Sequence, residues 1–219
     1  MKKQSGFTLV EIAIVLVIIG LLLGGVLKGQ ELINSAKVKN FAQDFRQVPL
    51  FIYGYQDKYK ALPGDDRGVD GTANGRFGTT GTPCAPAAAN KCAPGNGVID
   101  GDYNSTSVTD ESFVFWQHIR LAGLAAGSTT TTDSTFQPTN ADGGRIGVQS
   151  AVPITGMTGS YFVCSDAIQG KFAKQLDVTM DDGNTATGSM RVAASLGTPA
   201  PIATASVVDG TTYMVCLAL

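Results

Sequence analysis

Apolar residues are not spread evenly along this chain; they begin in one unbroken block. Residues 7–27, from Phe7 through Leu27, carry a single charged side chain, Glu11. At about 1.5 Å of rise per residue, a helix of that length spans roughly 30 Å, the thickness of a bilayer's hydrocarbon core. Beyond the block the period changes. Phe41, Phe45, Val48, Ile52, Tyr55 and Tyr59 recur at alternating spacings of four and three, the stripe of a helix with one buried face. Lys37, Lys39, Asp44, Arg46, Gln47, Asp57 and Lys58 occupy much of the opposite surface. The helix is therefore expected to continue past the membrane as an amphipathic segment over residues 28–62. Pro49, which has no N–H to donate, should kink it, and Leu62-Pro63-Gly64 should end it.

Residues 63–219 read as a globular head. Its first part, 65–103, is rich in Gly, Pro, Asn and Ala and predicts a long surface loop. Phe113, Trp116, Ile119 and Arg120 describe a short helix with Thr109 or Asp110 as its N-cap. Strand-like runs follow at 146–152, 161–164, 189–192, 206–208 and 211–217. Asp209-Gly210 predicts a hairpin between the last two. Asp166, Ile168, Phe172 and Leu176 suggest another helix, and Asp181-Asp182-Gly183 marks a turn. A long helix followed by strands is an α+β layout, with an antiparallel sheet built from the C-terminal part.

Composition narrows the function. With 16 basic against 18 acidic residues there is no field to hold nucleic acid. Four cysteines and one histidine supply too few soft ligands for more than one zinc or iron–sulfur site, and an even count suits two disulfides. Cys84 and Cys92 bracket seven residues of the long loop, and a bond between them would tighten it. Cys164 and Cys216 both fall in predicted strands, and a bond between them would close a loop of about fifty residues. His118 has no Ser or Cys nucleophile in a recognisable motif near it, and no Gly-x-x-x-x-Gly-Lys-Ser/Thr phosphate loop occurs. The chain reads as a non-enzyme.

Pro63-Gly64-Asp65-Asp66 and Asn96-Gly97-Val98-Ile99-Asp100-Gly101-Asp102 offer hard oxygen ligands separated by glycines. Asp65, Asp66, Asn96, Asp100 and Asp102 are thus candidate calcium ligands. The ligand spacing of an EF-hand and its closing Glu are missing, and turn formation by Asp and Asn is the alternative. Asp181 and Asp182 before Gly183 raise the same pair of readings. Otherwise no cofactor is expected.

The N-terminus carries the sharpest signal. Lys2 and Lys3 precede the apolar block, which by the positive-inside rule places the N-terminus in the cytoplasm and the head outside. A carboxylate inside a membrane span costs a few kcal/mol unless paired, so Glu11 needs a partner. Cleavage after Gly6 would supply one, the new amine of Phe7 four residues away. Lys-Gln-Ser-Gly-Phe-Thr-Leu-Val-Glu, residues 3–11, resembles the class III signal of type IV pilins and type II secretion pseudopilins. The resemblance implies a leader of residues 1–6 removed by prepilin peptidase between Gly6 and Phe7, N-methylation of Phe7, and docking of subunits through Glu11. It also implies a pilin-like fold and, as partners, membrane lipid, identical or related pilin subunits and an inner-membrane assembly platform. The subunit would wait in the bacterial inner membrane with its head in the periplasm and then move to a cell-surface pilus. Many major pilins have Pro where this chain has Gly24-Gly25, which serves either helix flexibility or close helix packing. Three functions remain open on these grounds: a structural pilus subunit, a pseudopilin of type II secretion, and an anchored binding module that never polymerises.

Overall fold

The computed structural model describes residues 8–84, 93–194 and 197–219. It divides into two compact units, 1–39 and 40–219. One helix, α1 (Leu9–Tyr59), runs from the first into the second. In the first unit every residue from 8 to 28 is exposed. A helix is the form that satisfies each backbone polar group within its own segment, which lipid demands.

In the second unit the stripe of α1 is buried as its period requires: Phe41, Phe45, Val48, Ile52 and Tyr55 are each at most 2% exposed. Helical structure is unbroken across Pro49. The helix stops at Tyr59, not at 62–64, because Lys60 turns into the left-handed region (φ 55°) while its N–H still bonds to Gln56 O at 2.8 Å. Gly64 completes the corner at φ 92°, where a Cβ would meet the Glu111 carbonyl oxygen at 2.5 Å. The following 65–103 segment is more than surface loop. Asp65, Asp66, Val69, Ile99 and Tyr103 are buried and anchor it to the core.

Helix α2 (Glu111–Leu121) is buried on all sides from Glu111 to Arg120. Asp110 stands at its N-cap position, yet the carboxylate accepts from the Ser105 and Thr109 hydroxyls rather than from the helix. Four strands form one antiparallel sheet in the order β1-β2-β4-β3: β1 (Ile146–Gln149), β2 (Phe162–Gln169), β3 (Met190–Ala193) and β4 (Thr212–Ala218). β1 ends before the predicted 152 because Ser150 N–H turns to Ile99 O.

Two expectations are corrected here. Asp166 does not open a helix. It extends β2, exchanging bonds with Arg145, and Ala167 (φ 55°) makes a bulge, after which α3 (Gly170–Met180) begins. The predicted 206–208/211–217 hairpin does not form either. Residues Thr204–Ser206 are a 3-10 turn, and β4 pairs with β2 and β3. The Asp209-Gly210 turn is used elsewhere: Thr211 O and Asp209 O accept the first N–H groups of α3, and Asp209 pairs with Lys174 at 2.5 Å.

Cys164 and Cys216 stand directly opposite on β2 and β4 and are bonded. Cys84 is buried and holds no free thiol, while Cys92, its expected partner, lies outside the described residues.

Candidate functional site

Helix α1 begins on a reciprocal cap. Thr8 Oγ1 accepts the Glu11 N–H at 3.3 Å, and Glu11 Oε2 accepts both the Thr8 N–H and the Thr8 hydroxyl at 2.8 Å. This is the Thr-x-x-Glu capping box, in which two otherwise orphaned donors at a helix start are satisfied. It turns the carboxylate of Glu11 back toward the beginning of the helix. The spacing Thr8-Leu9-Val10-Glu11 was available in the sequence as a helix start, a signal masked by the apolar block that surrounds it. Gly6 and Phe7, the predicted processing residues, lie outside the described residues.

From this cap onward the helix surface is apolar on every side. Leu9 is 90% exposed, and Ile14, Leu16, Ile18, Leu21, Leu23 and Leu27 are exposed around the whole circumference. A helix hydrophobic all round belongs in lipid or inside an assembly. The first charged pair after Glu11 is Lys28–Glu31 at 2.7 Å. The apolar part of α1 is unburied, and by length and composition it is long and apolar enough to cross a membrane. Gly20, Gly24, Gly25 and Gly29 have open space where a Cβ would stand. A neighbouring helix could approach closely there.

Residues 1–27 match the prokaryotic N-terminal methylation motif. This motif is the class III signal of type IV pilins and pseudopilins, and the apolar start of α1 with its capped Glu11 lies within it. The match covers the anchor and stops before the head. No curated protein and no solved structure matches the chain. What the head contributes must therefore be read from its own residues.

At the corner after α1, the predicted calcium ligands divide among three settings. Both oxygens of Asp65 accept backbone N–H groups, from Gly95, Asn96 (3.1 Å) and Gly97 (2.7 Å). Burial pushes this carboxyl upward in pKa against those three bonds. Asn96 Nδ2 donates to Asp100 at 3.3 Å, which brings Asp65, Asn96 and Asp100 to one loop. Asp66 faces elsewhere. It accepts from the Tyr55 hydroxyl at 2.7 Å and pairs with Arg76 at 2.7 Å, tying α1 to the loop. Asp102 contributes its carbonyl to Ser112 on α2.

His118 closes the same corner. Gly64 N–H donates to Nδ1 at 2.9 Å, so the ring proton sits on Nε2 and donates to Thr82 O at 3.1 Å. Burial depresses its pKa to about 4, keeping the ring neutral. Both nitrogens are thus occupied by backbone, and the ring fastens α2 to two loop segments. Glu111, equally buried, accepts Ala93 N–H and Asp100 N–H, and burial raises its pKa to about 7.

Proposed function

We propose that this chain is a structural subunit of a type IV pilus, cleaved by prepilin peptidase after Gly6 and polymerised through α1. The observation that carries the reading is the conjunction of the methylation motif with a helix whose apolar surface is exposed on all sides. In the inner membrane, lipid covers that surface. In a filament, the same surface of neighbouring subunits replaces lipid, and head-to-tail contacts leave the assembly open to growth. Glu11 supplies register. Its carboxylate, folded toward the helix start by Thr8, would take the amine of Phe7 from its own chain or a neighbour, and that pairing would offset the cost of a charge in the membrane.

The test is to shear cells and analyse the released fraction by mass spectrometry. A pilus subunit appears there as a chain starting at N-methylated Phe7. Retention of the processed chain in membranes, with loss of enzyme secretion on deletion, replaces this reading with that of a pseudopilin. An uncut chain starting at Met1 overturns both.

A further inference from the structure

Where β2 breaks register against β4, the sheet borders a cleft. Ala167 takes the left-handed conformation there (φ 55°), and Asn140 Nδ2 holds the bulge by donating to Asp166 O at 2.7 Å. Bulges re-aim side chains, and a non-glycine residue held in so sparsely populated a region costs energy that clusters at binding and active sites. The cavity beside it measures about 520 Å³, and its lining includes Tyr103, Arg145, Asp166, Ala167, Tyr213 and Met214.

Two opposite charges line this cleft without neutralising each other. Arg145 and Asp166 are joined through backbone groups, Asp166 N–H to Arg145 O at 3.1 Å and Arg145 N–H to Asp166 Oδ1 at 2.5 Å. Yet neither side chain belongs to an ion pair among the described residues. The guanidinium instead donates from Nη1 to Asn104 O at 2.8 Å. Both side chains belong to half-buried residues, so each charge stays open to a ligand. Tyr103 supplies a third group. It is 1% exposed, and its hydroxyl has no hydrogen-bond partner. Burial pushes this phenol up in pKa, and the charges of Asp166, Asp102 and Arg145 also act on it, so the hydroxyl end of the ring is the end turned toward Arg145 and Asp166. A buried O–H left unpaired is costly, and an acceptor on a ligand relieves it.

We infer that this cleft binds a free α-amino acid with an apolar side chain, its carboxylate on Arg145 and its ammonium group on Asp166. A simple anion meets the Asp166 carboxylate there, and a simple cation meets the Arg145 guanidinium. A zwitterion gives each charge its opposite through charge-assisted hydrogen bonds. The Tyr103 O–H, turned toward the same pair, donates to the ligand carboxylate. Next to the charges the lining is apolar: Met214, and the ring of Tyr213, whose hydroxyl is taken by the Val208 N–H at 2.9 Å. An aliphatic side chain gains by leaving water against these two.

The experiment uses the full chain in detergent micelles, titrated calorimetrically with leucine, with isocaproate and with isoamylamine. The last two keep the leucine side chain and carry only the carboxylate or only the amine. Leucine should bind with a Kd on the order of 0.1–1 mM, the range of a small ligand held by two half-exposed charges, and each half-ligand about tenfold or more weakly than that. Asp166→Asn, which keeps an acceptor for the Arg145 N–H, and Arg145→Gln should each weaken leucine binding about tenfold or more, and Tyr103→Phe about threefold or more. Absence of leucine binding to the parent chain overturns the inference. So does a half-ligand that binds the parent chain as tightly as leucine, a comparison that needs no variant to fold. Full affinity for leucine in folded Asp166→Asn or Arg145→Gln overturns it as well.

Discussion

His118 and Glu111 occupy the same buried helix, and their protonation pulls stability in opposite directions. The histidine binds its proton in the unfolded chain near pH 6.5 but in the folded one only near 4. Its contribution is therefore full above pH 6.5 and is lost as pH falls toward 4. Glu111 has the reverse sign. Its folded pKa is raised from 4.5 to about 7, so its contribution is full below 4.5 and is lost as pH rises toward 7. Each shift corresponds to about 3 kcal/mol at its limit, and between pH 4.5 and 6.5 the two slopes oppose each other. Substitution separates them. His118→Gln should lose its disadvantage relative to the parent by about 3 kcal/mol from pH 7 to pH 4. Glu111→Gln should gain on the parent by a similar amount from pH 4.5 to pH 7. Denaturant unfolding followed by the fluorescence of Trp116, buried on the same helix, measures both. A pH-independent difference from the parent would show that the residue concerned titrates normally.

At the scale of elements, α1 offers a test of phase. Ile52 is wholly buried and Leu50, two residues away, is 67% exposed. Ile52→Ala should destabilise the head by about 2–5 kcal/mol, while Leu50→Ala should stay within about 0.5 kcal/mol, both read from the shift in denaturant midpoint. Comparable losses from the two would mean that the stripe faces the wrong way. This stripe was legible because its period is long and local: 41, 45, 48, 52, 55 and 59 announce a face whatever lies against it. Glu11 and the apolar block were legible for the same reason. The α3 region was not. Asp166 carries the chemistry of a helix cap, but its pairing with Arg145, the residue before β1, is a contact across twenty-one residues that no local pattern encodes. Asp209-Gly210 has the residues of a hairpin turn, and the decision went to the start of α3, forty residues earlier in the chain.

For the molecule as a whole, the two compact units carry separate physics, and each can be damaged without the other. The Cys164–Cys216 bond closes a loop of 52 residues wholly within the second unit. On the chain-entropy model its loss costs about 4 kcal/mol, so replacing both cysteines with Ala should lower the melting midpoint of the head substantially. The N-terminal signal is untouched by that change, and on the proposed reading the variant should still be processed to Phe7. Glu11→Ala is the complementary lesion. It removes a carboxylate whose hydrogen bonds, among the described residues, are all with Thr8, so the head should melt as the parent does. On the proposed reading assembly should fail nonetheless, because the amine of Phe7 would lose its partner in the apolar core. Sheared filaments should then be absent while processed subunit accumulates in the membrane. Should Glu11→Ala yield normal filaments, the pairing of Glu11 with Phe7 is not what sets register, and polymerisation would rest on the apolar surface of α1 alone.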